Sequence, residues 1–176
     1  MINEVIKKNG INYGVIIGIT SAFVTASIYA IDLNLFVSWW VGLVGIVINL
    51  TIAIILLSKT KKELQGVFSF KDAFTTYFIA AVIGVLISTL FNILLFNVID
   101  PAAKDTVSEL MIRYTAGIMQ KMGAPASVIN ENIAKMKLNN PFSTIELIKG
   151  CAFSIIFCAI FGLILAAFFK SKTTQE

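Results

Sequence analysis

The sequence predicts an all-α integral membrane protein: four transmembrane helices in an up-down bundle, with a short helical extracytoplasmic segment between spans 3 and 4. Three observations carry this reading. The 176 residues are 57% hydrophobic and only 14% charged, against roughly 45–50% and 25% in a soluble domain. The mean hydropathy is +0.87. The apolar residues gather into four blocks, at about 13–31, 36–58, 74–96 and 147–169, each near the ~20 residues that a bilayer-crossing helix needs. The size fits a single membrane domain over residues 1–176.

The first block follows a short polar head carrying Lys7 and Lys8. A cleaved signal peptide is the competing reading. The apolar run exceeds the ~7–15 residues of a signal core, and Ile28-Tyr29-Ala30 is a poor cleavage site, so a retained span is expected. A tight turn at Asp32 to Asn34 leads into the second block. Tyr29, Trp39 and Trp40 cluster at one predicted interface, with Tyr13 and Tyr77 at the other, as in an aromatic belt.

Between blocks two and three lies Lys59 to Phe74, the most basic short segment of the chain. Within it, Ser69-Phe70-Lys71-Asp72 reads as a capping box, which starts the third helix near Phe70. Phe70 and Phe74 are expected to seat that helix at the interface.

Residues 97–146 form the one sizeable stretch between spans. Asp100-Pro101 is a helix start, a capping side chain followed by proline at the first helical position. Val107, Leu110, Met111, Tyr114 and Ile118 recur at helical spacing. Gly123 and Pro125 end that helix. A second helix carries Ile129, Ile133 and Met136 on one face, and Asn139-Asn140-Pro141 breaks it. These amphipathic helices are expected to lie on the membrane or bundle surface; docking a partner is the alternative. Ser143 to Glu146 is a second capping box and opens the last span.

Lysines set the orientation. Lys7, Lys8, Lys59, Lys61, Lys62, Lys71, Lys170 and Lys172 fall on one side of a four-span chain, facing Glu4, Glu63, Asp72 and Glu176. The other side is charge-balanced, so the first accounts for the whole net charge of +4. Short lysine-rich segments stay inside. Both termini and the Lys59–Phe74 loop are therefore expected in the cytoplasm, and 97–146 outside.

Small residues recur along every block. The expected helix-packing positions are Gly14 and Gly18 in the first, Gly42 and Gly45 in the second, Gly84 and Ser88 in the third, and Gly162 in the fourth. Gly150, Ser154 and Cys158 precede Gly162 at the same spacing. Such faces let backbones approach closely; a small-residue wall lining a pore is the alternative. Asn49 and Asn92 are the polar side chains deep within spans. Hydrogen bonding between helices is the expectation for them, and a polar intramembrane site the alternative.

The chemistry that is missing narrows the function. The chain has no histidine, the usual general base and metal ligand. No ionisable side chain sits in the middle of a span, where proton relays place them. Cys151 and Cys158 lie seven residues apart on one helix, too far for a disulfide. Asp100, Asp105 and Glu109 share a side of one loop helix, as acidic residues near a helix start commonly do. No catalytic, cofactor or metal residues are assigned, and no enzyme is expected. No basic patch with interleaved aromatics points to nucleic acid.

Three motifs in order then carry a resemblance: Gly66-Val67-Phe68-Ser69-Phe70-Lys71-Asp72-Ala73-Phe74, Ile99-Asp100-Pro101 after a span, and Asn140-Pro141-Phe142 before the last span. Over nearly its whole length the chain resembles the four-span bacterial membrane proteins of domain-of-unknown-function family 4199. Gly66, Ser69, Phe70 and Phe74 mark its cytoplasmic motif, with Lys71 where the family pattern often has glycine. The resemblance implies a four-span fold in the bacterial cytoplasmic (inner) membrane and no known activity. The expected role is a non-enzymatic accessory or scaffold protein, whose partners are the lipid bilayer and other membrane proteins or further copies of itself. The alternative is an oligomeric small-solute channel or transporter.

Overall fold

The computed structural model describes residues 2–171. Lys172 and Glu176 of the topology argument lie outside the described residues. Among those residues the chain is helical, with no strand. Four helices are long and apolar enough to cross a membrane: α1 (Glu4–Ile31), α2 (Trp39–Glu63), α3 (Phe70–Leu94, continued by a π-turn Leu95–Ile99) and α6 (Thr144–Phe169). Between α3 and α6 lie α4 (Pro101–Lys121) and α5 (Ala126–Leu138).

Local chemistry explains most boundaries. The Asn3 side chain accepts from Val5 N at 2.8 Å, so α1 starts well before its apolar run and takes in the polar head. A 3-10 turn, Leu33–Val37, delays α2 to Trp39. Asp32 opens that turn by accepting from the main chain and side chain of Asn34. Helix α3 begins at Phe70 on a complete capping box. Ser69 Oγ accepts from Asp72 N at 3.1 Å, and Asp72 accepts from Ser69 N at 3.3 Å. Lys71 has ordinary helical backbone. At α6 the box is half made: Ser143 accepts from Glu146 N at 3.4 Å, while the Glu146 carboxylate turns to Lys149 at 2.6 Å.

Helix α3 is the centre of the molecule. α1 lies along it in parallel register, with Gly10 opposite Ile79, Gly14 opposite Ile83 and Gly18 opposite Ile87. In return Ile17 fills the space at Gly84. A Cβ on Gly14 would come within 2.9 Å of the Ala80 carbonyl oxygen, so glycine sets the approach of these backbones. α6 packs on the other side in the opposite sense. Gly162 lies against the Tyr77 ring, and Leu165 and Ala166 join Ala73 in one buried cluster.

Helix α2 departs from a closed four-helix bundle. Its buried residues are Ala53, Leu56, Leu57 and Thr60, all in its second half. Its first half stands away from α3 and α6, and a gap lined by Thr20, Thr25 and Ile48 separates it from α1. Two locks hold the lysine-rich end. The buried Asn9 amide donates to Glu63 at 2.7 Å and Thr60 at 3.2 Å. The loop after α2 grips the end of α6, where Phe68 N donates to Ser171 Oγ at 2.9 Å and Ser171 N to the Phe68 carbonyl at 2.8 Å.

The opposite end is closed by aromatics. Phe36, Phe96 and Phe142 pack edge to face or tilted at 4.9–6.3 Å between ring centres. Helix α4 sits over them through Ala103 and Val107. Tyr29 Oη donates to Asp100 at 2.9 Å. The outward sides of the long helices remain apolar, including Trp39, Val47 and Phe168.

A candidate cleft between three helices

With α2 joined to its neighbours only near one end, a cleft of about 880 Å³ opens between α2, α3 and α6. Its length follows from α3, whose residues Tyr77 to Asn92 line it. At 1.5 Å rise per residue that is about 22 Å. The blind end is shut by Ala53 and Leu165, members of the buried cluster around Phe68 and Ala73. The other end reaches Pro141 and Glu146 at the start of α6. Along the side between α2 and α6 the cleft is open.

The small-residue positions divide into two groups. Gly14, Gly18, Gly84 and Gly162 meet side chains of another helix at distances that leave no room for a Cβ. Gly42 and Gly45 have no neighbour within 4 Å, and neither does Gly150 across the cleft. The packing expected at Gly42 and Gly45 is thus absent from this structure: these glycines line the cleft, as do Gly84 and Ser88 on its floor. α3 packs mainly against α1 and α6, and α2 joins them only through its second half.

Asn49 and Asn92 both line the cleft. Neither bonds to another helix. Asn49 Nδ2 donates to its own helix at Gly45 O, 2.9 Å away, and Asn92 Nδ2 to Ser88 O at 2.8 Å. Each amide thereby satisfies one N–H within its helix and keeps its carbonyl oxygen and second N–H for something else. Ser88, Thr89 and Ser154 share the cleft with them. The nearest carboxylate, Glu146, is paired with Lys149.

The motif Gly66–Phe74 is structural in its contacts. Gly66 at φ 83° follows Gln65 at φ 53°, and its N–H returns to the Lys61 carbonyl at 2.9 Å, closing α2. Ser69 caps α3. Phe74 stacks on Phe78 at 5.5 Å and flanks the buried cluster. Phe70 is 41% exposed, whereas Phe68 is fully buried. Nothing in the sequence singles out Phe68, because a loop has no period to show which of its phenylalanines turns inward. Asn9, Thr60 and Ser171 are hidden for a similar reason, since their partners are far away in the chain. Tyr77, expected at an interface, instead lines the deep part of the cleft against Gly162.

The acidic residues of α4 are separately engaged. Asp100 caps α4 by accepting from Ala103 N at 3.0 Å and also accepts from Tyr29. Those two donors, the main-chain one first, hold its carboxyl below the usual carboxylate range. Asp105 accepts from Asn140 at 3.2 Å, and Glu109 pairs with Arg113 at 3.5 Å. Among the described residues no group of three or more potential ligands is placed to hold a metal ion. The third resemblance motif packs against the residues just before the second. Asn97 donates to the Phe142 carbonyl at 3.0 Å, and Phe142 packs on Phe96.

Comparison with curated proteins and with solved structures gives no match. A family model does match, over residues 12–171. That range takes in all three motifs and every helix that lines the cleft, and the chain belongs to the family described as "Protein of unknown function (DUF4199)".

Proposed function

We propose that this chain is a non-enzymatic accessory protein of a bacterial cytoplasmic membrane, which works by holding a membrane-embedded guest in the cleft between α2 and α6. It crosses the bilayer four times in an up-down arrangement. The lysine-rich end faces the cytoplasm, and α4 and α5 lie outside. The observation that carries this reading is the pair Gly42 and Gly45. These small residues face the cleft and touch nothing, next to two asparagines with unused hydrogen-bonding capacity. A side opening lets a guest enter from the lipid.

Native mass spectrometry of the detergent-purified protein tests the reading. The wild type is expected to carry bound mass. The double variant Gly45→Leu/Gly150→Leu, which fills open space, is expected to lose it while still folding. A wild type that flies bare would sink the idea. A reporter fused after Glu176 tests the orientation, and activity on the outer side would overturn it.

A second reading is a small-solute transporter, favoured by Asn49, Ser88 and Asn92 facing the same space. It needs a path past Ala53 and Leu165, which close the cleft here. Solute flux in reconstituted vesicles that is abolished by Gly45→Leu would promote it over the first.

A further inference from the structure

The shape and lining of the cleft restrict its guest. About 880 Å³ spread over the ~22 Å from Tyr77 to Asn92 is an elongated space that accommodates an extended hydrocarbon chain. A bound mass of protein size in the native spectrum would point to a helix in the cleft and overturn a lipid-like guest.

The lining also changes along the length. The contact of Gly162 with Tyr77 places α6 in register along α3, and the cluster of Leu56 with Ala80 places α2. Toward Tyr77 the walls are Ala81, Phe157, Phe161 and Leu165; toward Asn92 they are Asn49, Ser88, Thr89 and Glu146. The deep half offers a guest only apolar contact, apart from the Tyr77 hydroxyl and the Cys158 thiol. The shallow half offers amide and hydroxyl groups, and its one carboxylate already has Lys149 at 2.6 Å. In a low-dielectric site, amides and hydroxyls satisfy a hydroxyl or amide of a ligand, whereas an unpaired ionised head would be costly.

Resting on the reading of the cleft as a guest site, we infer that its ligand is a slender, uncharged amphiphile. Its hydrocarbon chain runs toward Tyr77, and its hydroxyl or amide head lies among Asn49, Ser88 and Asn92. The open side between α2 and α6 admits such a molecule directly from the surrounding leaflet. Apolar pockets with a few convergent polar groups are the common form of small-molecule site.

Photolabelling of the detergent-purified full chain tests this. The probes are three C18 molecules carrying a chain diazirine: monooleoylglycerol, oleate and a plain octadecene. Monooleoylglycerol is expected to label α2 and α6 peptides saturably, with competition by the unlabelled compound, at least tenfold better than the other two. Gly45→Leu/Gly150→Leu should reduce that labelling at least tenfold. Asn49→Leu/Asn92→Leu should keep the labelling but erase the preference over octadecene. Oleate labelling as well as monooleoylglycerol would overturn the uncharged head while leaving the guest site in place. Labelling that does not saturate, or that ignores Gly45→Leu/Gly150→Leu, is bulk lipid contact and overturns the cleft as the binding place. Absence of any bound mass in the native spectrum overturns the underlying reading itself.

Discussion

The Lys61 ammonium donates a hydrogen bond to the main-chain carbonyl of Phe169 at 3.0 Å. A lysine whose charge suits the membrane edge also closes the last turn of α6 from α2, where the final carbonyls of a helix lack internal partners. Ser171 adds to this closure by donating to the Gly66 carbonyl. Lys61→Met keeps much of the stem and removes the donor. It should lower stability in detergent by about 1 kcal/mol, and Lys61→Arg should recover part of the loss. Equal melting curves for all three proteins would show the contact to be idle.

Gly14 and Gly45 look alike in sequence and should respond oppositely to alanine. A Cβ at Gly14 meets the Ala80 carbonyl oxygen and the Ile83 side chain within 2.9 Å, and a backbone oxygen cannot step aside cheaply. Overpacking of this kind costs about 1–3 kcal/mol. Gly45 has open space, so alanine there brings only its helix propensity, worth up to about 1 kcal/mol in favour. Thermal unfolding of the two single variants in one detergent checks the contrast. Matching destabilisation would mean that a partner or guest already occupies the space at Gly45.

Phe68 and Phe70 divide the labour of the loop motif. Phe68 is buried in the cluster with Leu57, Ala73 and Leu165, and Phe70 is 41% exposed. Phe68→Ala should cost about 3–5 kcal/mol and free the end of α6, seen as faster amide exchange near Phe169. Phe70→Ala should cost well under half of that in the same measurement. Equal losses would contradict this division.

What could be read from the sequence follows the range of the forces involved. The helices, their caps and their breaks at Gly123, Pro125 and Pro141 depend on neighbours a few residues away, and composition alone marks four long apolar segments. The Ser69 box is local and visible. The bond from Asn9 to Glu63 spans the whole first hairpin and leaves no trace in either segment. The cleft is harder still. Gly14 and Gly45 are both small residues on apolar helices, and only the approach of α1 to α3, which the first half of α2 does not share, makes one a contact and the other a wall. Asn49 and Asn92 could be picked out as the deep polar residues, but their bonding back to Gly45 and Ser88 could not.

The Tyr29–Asp100 bond predicts a pH response. The main-chain N–H of Ala103 and then the Tyr29 hydroxyl favour the ionised carboxylate in the folded protein and hold its pKa down. A carboxyl whose folded pKa is depressed contributes stability that is fully present above its unfolded pKa, near 4. That contribution fades as the pH falls through the lower, folded value. Tyr29→Phe removes one donor, so the folded pKa rises toward the ordinary value and the contribution shrinks. Melting temperature followed from pH 7 down to pH 3 should show the wild type losing more than the variant. Parallel curves would mean that the tyrosine does not sense the charge.

The Asn9–Glu63 bond at 2.7 Å is where the behaviour of the cleft should be controlled. α2 is buried only in its second half, so any change in the width of the cleft is expected to pivot on the contacts at Ala53, Leu57 and Thr60. Asn9 is 3% exposed and Thr60 is fully buried. Asn9→Leu leaves the Thr60 hydroxyl with its bond to Leu56 O but strips the exposed Glu63 of its amide partner, leaving it Lys59 at 4.0 Å, which should cost about 0.5–1.5 kcal/mol. The structural effect should exceed the local one. Spin labels at Ile46 on α2 and Phe153 on α6, which both line the cleft, should report a broader distance distribution in Asn9→Leu than in the wild type. Glu63→Gln keeps an acceptor for Asn9 and should leave the distribution nearly unchanged. If Asn9→Leu is destabilised while the distances stay as narrow as in the wild type, α2 is held by apolar packing alone and the polar lock does not govern the width of the cleft.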